Sequence, residues 1–303
     1  MSIFKGNDNI IKRTLTGIVI VALIVGFLYL RENVDKKLFD IFLWGMAVIG
    51  TFELHRAFGK RTTRTQKSLA IIYAATIFPV ALFVEKQYTV VVAVGLAFVL
   101  IIISTLIINH LTGLPGFRQG KDIDESVTME GVGLTILTLF YPSIFLFLLH
   151  YLSVEGHSVA LILAFVVSPC TDVAAYLVGS IVKGKKLCPI ISPNKTISGA
   201  IGGFFGGVAG SIAVYFITGY HMWNVFADVA FFAAVGIVCA FLTEFGDLVE
   251  SQIKRKLGVK DMGKLLPGHG GVMDRIDGLL FASAGLFLFF GVFAPTAAGL
   301  PPL

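Results

Sequence analysis

SQIKRKLGVKDMGKLLPGHGGVMDRID (residues 251–277) separates two apolar stretches, NVFADVAFFAAVGIVCAFLTEFGDLV (224–249) and GLLFASAGLFLFFGVFAPTAA (278–298). Each flank is long enough to cross a hydrocarbon layer of about 30 Å, which takes about 20 residues. The polar stretch between them gathers Lys254, Arg255, Lys256, Lys260, Lys264 and Arg275 with Asp261, Asp274, Asp277 and His269. Pro267, Gly268, Gly270 and Gly271 flank that histidine, so backbone amides there can approach an anion closely. Such a loop between membrane spans predicts phosphate and metal chemistry at a membrane surface.

Outward from this loop the chain stays apolar. Of 303 residues, 56% are hydrophobic, 27 are Phe and only 14% are charged, against about 25% charged in a soluble domain. Mean hydropathy is +0.85. The expected fold is all-α, a polytopic integral membrane protein of nine spans: 15–30, 38–58, 69–84, 88–109, 131–152, 158–182, 196–220, 224–249 and 278–298. The first is read as retained, because no small-x-small cleavage site follows it. The organisation expected is four helices over 1–110, a cytoplasmic loop with the fifth helix over 111–157, and a catalytic region over 158–303 carrying the loop 250–277. Cys170, Cys188 and Cys239 are odd in number and lack CxxC spacing, so neither a disulfide framework nor a zinc site is indicated.

With nine spans and a cytoplasmic N-terminus, twenty of the 24 Lys and Arg fall on the inner side. Short cytoplasmic loops accumulate such charge, so the C-terminus is expected outside and loops 183–195 and 250–277 inside. The formal charge of +5 therefore marks one face that meets anionic headgroups or nucleotides rather than nucleic acid. In the seventh span Gly199, Gly203 and Gly207, and likewise Gly202, Gly206 and Gly210, recur every four residues. They suit close helix packing inside the chain or a homodimer contact.

Carboxylates within spans carry the next step. Asp172 lies eleven residues before Lys183, about 16 Å along a helix, and an intramembrane carboxylate is a functional candidate. A helix cap or a pair with Lys195 is the alternative. Glu244 and Asp247 share a helix face at i, i+3, as do Asp274 and Asp277. Hard oxygen donors of this kind suit Mg²⁺, with a second cation left open. Glu53, Asp40 and Asp228 sit near span ends and are expected to snorkel to the interface. In KGKKLCPIISPNKTISG (183–199), Pro193 stiffens a turn and Thr196 or Ser198 can cap the following helix, beside which Lys195 makes an anion site.

Residues 251–277 resemble the signature of the phosphatidate cytidylyltransferases, or CDP-diacylglycerol synthases, through Ser251, Lys254, Arg255, Lys260, Asp261, His269, Gly270, Gly271, Asp274, Arg275 and Asp277. The resemblance reaches upstream through Gly246-Asp247-Leu248, Ser192-Pro193-Asn194-Lys195-Thr196 and Asp172 with Ala175, Tyr176 and Gly179, over about residues 170–280. Asn194, Ser198 and Met262 depart from the residues familiar there. The resemblance implies transfer of a cytidylyl group from CTP to phosphatidic acid in a bacterial-type inner membrane, with the active site facing the cytoplasm. It implies Asp247, Asp274 and Lys260 as catalytic, with Glu244 and Asp277 joining the two aspartates as metal carboxylates. Asp172, Ser192, Lys195, Lys254, Arg255, His269 and Arg275 are implied to bind substrate. A CTP-dependent polyprenol or phytol kinase is the nearest alternative. A secondary transporter fits less well, since polar residues concentrate in one half of the chain rather than in two matching halves.

Overall fold

The computed structural model of the chain describes residues 2–81, 92–97, 99–100 and 129–293. Helix α1 spans Ser2–Asn33, α2 Lys36–Phe58 and α3 Arg64–Ala81. Helices α4 (Met129–Thr138) and α5 (Phe145–Glu155) are joined by a wider π-helical turn, Leu139–Ile144, where Tyr141 leaves the helical region at φ −118° and ψ 106°. Then come α6 (Ser158–Val182), a hairpin of β1 (Lys186–Cys188) and β2 (Ser192–Thr196), α7 (Ile197–Thr218), α8 (Val225–Leu257) and α9 (Met273–Leu286), which runs on as a π-helical segment to Phe293.

The chain is an all-α polytopic membrane protein, with one departure: the loop after α6, read as a simple turn, pairs into the antiparallel hairpin β1–β2. Among the described residues, seven segments are long and apolar enough to cross a membrane, and they match seven of the nine expected spans. The third expected span, 69–84, falls on α3, an 18-residue helix that is not among those seven. The fourth, 88–109, lies largely outside the described residues.

Helix ends follow the local sequence. Asp35 caps α2 by accepting the Lys37 N–H at 2.8 Å. Thr196, one of the two capping candidates, accepts the Gly199 N–H at 3.1 Å and starts α7. Asn224 caps α8 through the Ala227 N–H at 2.9 Å, and Gly258, at φ +71°, ends it in the left-handed conformation that glycine adopts without strain.

Helices α6 to α9 pack chiefly on one another. The glycine rows of α7 explain why. A Cβ at Gly206 would strike Ala174 of α6, one at Gly202 would strike Val178, and one at Gly207 would meet Ala240 of α8 at 2.6 Å. Both rows are thus used inside the chain, bringing α6, α7 and α8 to backbone contact.

Long-range bonds sort the loops into two faces. Arg61 pairs with Glu130 at 3.1 Å and donates to the Lys256 carbonyl at 3.2 Å, Arg255 donates to the Ile191 carbonyl at 3.2 Å, and Arg13 donates to the Gly268 carbonyl at 3.1 Å. These contacts gather the start of α1, the end of α2, the hairpin and the 251–277 loop on one face. On the opposite face Arg31, buried, donates to the Ser153 carbonyl and to Ser158 Oγ, both at 2.7 Å.

The three carboxylates expected to snorkel are instead buried and bonded, which corrects that reading. Asp40 pairs with His150 at 3.0 Å. Asp228, with no exposed surface, accepts the N–H groups of Met222 and Trp223 ahead of α8. Glu53 accepts the Met273 N–H at 3.0 Å from 220 positions away. A polar group that finds a buried partner has no need to reach water.

Candidate active site

Helix α8 is 33 residues long, about 50 Å, and so outruns a hydrocarbon layer of about 30 Å. Asp247 lies about 33 Å along it from Val225, level with the far boundary of that layer. The α8 carboxylates Glu244, Asp247 and Glu250 recur every third residue and share a face. From α9, which starts at the same level, Asp277 comes up against the last two. Asp247, Glu250 and Asp277 each offer a carboxylate oxygen, and these oxygens lie within 4.8 Å of one another.

Two like charges 4 Å apart repel by about 4 kcal/mol even at an effective dielectric constant of 20. Three carboxylates so placed call for shared protons or a cation. Glu250 is fully buried, and its protein counter-charge is the Lys254 ammonium, with which it forms an ion pair one helical turn on. An all-oxygen, all-anionic donor set at the membrane boundary fits a small hard divalent cation whose remaining positions go to water and phosphate oxygens.

Lys195, presented by β2, closes one side. Its Nζ lies 2.6 Å from Asp247 Oδ2 and 2.7 Å from Glu244 Oε2. Burial opposes its charge, but Asp247 and Glu244 together outweigh that and hold its pKa above the ordinary lysine value. Asp172 stands on the accessible side of α6, close enough for Asp277, Asp247, Lys195 and Glu244 all to act on it electrostatically. Ser192 begins the strand that carries Lys195, and Arg255 braces the hairpin through the Ile191 carbonyl.

Asp274 is placed differently from its neighbours. Its carboxylate accepts the N–H groups of Met262 at 3.0 Å and Gly271 at 2.7 Å, and pairs with Lys254 Nζ at 2.7 Å. It therefore folds the 251–277 loop back over the start of α9. Glu53 of α2 does the same from below: a Cβ at Gly263 or Gly271 would run into its carboxylate. These glycines are needed because the loop backbone lies against a buried side chain.

Beyond Asp274 the loop walls a cavity of about 360 Å³. Arg13, Lys260, Lys264, His269 and Arg275 line it against the single carboxylate of Asp261 among its described lining residues. Gly268 and Gly270 turn the backbone there at φ +76° and +88°. A Cβ at Gly270 would meet Asp274 Oδ2 at 2.7 Å, so the cavity abuts the carboxylate site through Gly270, Asp274 and Lys254.

The structure thus divides the sequence-predicted residues between two adjoining places. Asp172, Lys195, Glu244, Asp247, Lys254, Asp274 and Asp277 gather at the carboxylates, and Lys260, His269 and Arg275 at the basic cavity. Glu250 and Arg13 are not among the sequence-predicted site residues, and Glu53 is expected from the sequence only to snorkel. Glu250 was findable, since it continues the i, i+3 series of Glu244 and Asp247. Glu53 and Arg13 reach the loop from 220 and 255 positions away, and no local pattern signals such contacts.

The profile of the cytidylyltransferase family matches residues 11–293. A phosphatidate cytidylyltransferase of Brucella suis is 44% identical over 135 residues, 44% of this chain and 47% of that protein. One of Staphylococcus aureus is 42% identical over 118 residues, 39% of this chain and 44% of that protein. The chain spans about half the length of the curated relatives it matches.

Proposed function

The chain belongs to the cytidylyltransferase family, and we propose that it transfers the cytidylyl group of CTP to phosphatidic acid, giving CDP-diacylglycerol and pyrophosphate. The observation that carries this reading is the carboxylate trio of Asp247, Glu250 and Asp277 beside a basic cavity at the membrane boundary. A phosphate monoester oxygen of the lipid forms a bond to the α-phosphorus of CTP as the bond to the β-phosphate oxygen breaks, and pyrophosphate leaves with that electron pair. The attacking monoester is already ionised near neutral pH, so the site needs no general base. Its task is to bring two polyanions together.

Asp247, Glu250 and Asp277 would hold Mg²⁺, which when bound neutralises phosphate charge as it builds. Lys195 provides a second fixed positive charge beside Asp247. Lys254 and Asp274 hold the loop so that Lys260, His269 and Arg275 can bind phosphate oxygens. Glu244 keeps the Lys195 ammonium in place, and Asp172 stands at the open side of the site. The basic face is cytoplasmic and the membrane is the bacterial inner membrane in this reading. A homodimer would use outer surfaces, since the α7 glycines are taken up inside the chain.

Purified protein given CTP labelled in the cytosine ring, phosphatidate and Mg²⁺ should move label into the lipid phase. A chelator should stop this, and excess Mg²⁺ should restore it. Label appearing only as soluble CDP would favour a lipid kinase, and no reaction with either would remove the enzymatic reading. For orientation, exposed Lys36 and Lys256 lie on opposite faces. In a Cys188→Ser background, Lys36→Cys should react with an impermeant maleimide from outside intact cells, and Lys256→Cys only after the membrane is opened. Labelling of both from one side would refute this orientation.

A further inference from the structure

We propose that Arg13 and the 260–275 loop form a subsite for the phosphate monoester headgroup of the lipid substrate, at the bilayer boundary and with α1 as its membrane-side wall. This rests on the cytidylyl-transfer reading and adds to it a residue outside the signature.

Lys12 and Arg13 stand directly ahead of the apolar stretch 15–30 of α1 in the sequence. Within that stretch Leu15 is 62% exposed and Ile18 60%, as side chains facing lipid would be. An arginine at the head of such a span lies at headgroup level. The loop reaches that same level. Arg13 Nε donates to the Gly268 carbonyl at 3.1 Å, and Thr16 Oγ1, nearly one turn deeper, donates to the Pro267 carbonyl at 3.0 Å. The Arg13 stem fills the space a side chain at Gly268 would need, with Cγ 3.0 Å from an ideal Cβ there. One of five N–H donors is thus used on the loop, and Arg13 is among the residues that line the cavity.

The cavity has the chemistry of a phosphate monoester site. Its basic side chains can match a dianion, and guanidinium groups bind phosphate through paired N–H donors. At about 360 Å³ it has room for a headgroup. Among the described lining residues there is no Phe, Tyr or Trp, so the cavity offers charge for a phosphate and little aromatic surface for a base. Leu265, next in the chain to the lining residues Lys264 and Leu266, is 57% exposed. A lipid phosphate held here lies next to the carboxylate trio by way of Gly270, Asp274 and Lys254.

The test is direct binding of dioctanoyl phosphatidate and, separately, of CTP with Mg²⁺, to purified wild type, Arg13→Ala and Arg13→Lys in detergent, with thermal midpoints as the fold control. Arg13→Ala should weaken phosphatidate binding by about ten- to a hundredfold, the scale of a charge-assisted phosphate contact, and leave CTP binding within about twofold. Arg13→Lys should recover part of the loss. In turnover the KM for phosphatidate should rise and that for CTP should not. Weakened CTP binding with phosphatidate unchanged would overturn the proposal in favour of a nucleotide pocket. Unchanged binding of both, or a fall in thermal midpoint with both lost together, would make Arg13 only a tether between α1 and the loop. Should wild type transfer no cytidylyl group while its phosphatidate binding still depends on Arg13, the reaction would fall and the subsite would stand.

Discussion

Asp247→Asn is expected to lower cytidylyl transfer by at least about a thousandfold, the rate equivalent of losing several kcal/mol of charge stabilisation at the reacting phosphates. The protein should stay folded, because the substitution keeps the shape of the side chain. It also removes one negative charge from a crowded group, which offsets the loss of the Lys195 pair. Thermal unfolding in detergent should therefore shift by no more than a few degrees. Activity within tenfold of wild type at saturating Mg²⁺ would count against Asp247 as a cation carboxylate.

Asp274→Ala should also abolish turnover, but by a different route that the same two measurements separate. The carboxylate accepts the N–H groups of Met262 and Gly271 and pairs with Lys254. Removing it leaves two buried amides without their acceptor and the half-buried Lys254 ammonium with Glu250 as its remaining partner, a loss of about 3–5 kcal/mol from the unmade bonds. At about 2–4 °C per kcal/mol the thermal midpoint should fall by roughly 10 °C. A variant that is inactive yet as stable as wild type would show that Asp274 serves the reaction and not the loop.

The contrast between these two aspartates marks what could be read in the sequence. Spans were legible because hydrocarbon admits only helices with satisfied backbones, so hydropathy alone locates them. The start of α7 was legible because Thr196 stands where a cap is needed. The α7 glycines announced close packing, and only the structure showed that α6 and α8 take up both rows. Asp247 and Asp274 look alike in sequence, each one of an i, i+3 carboxylate pair. What separates them is which backbone amides lie nearby, and that depends on a loop folded over Glu53, a residue in another helix. Glu250 continues the i, i+3 series of Glu244 and Asp247, but the sequence does not show that it is buried. Its burial comes from α9 lying across it. Arg13 gave no signal at all, since its role is set by where α1 docks.

Manganese binding measured by electron paramagnetic resonance on the purified protein tests the cation site most directly. Wild type should bind one ion tightly. Glu250→Gln should lose it, because Glu250 is one of the three converging carboxylates, and Glu244→Gln should keep it, because Glu244 is paired with Lys195 outside the trio. Retention of the ion in Glu250→Gln with its loss in Glu244→Gln would contradict the account.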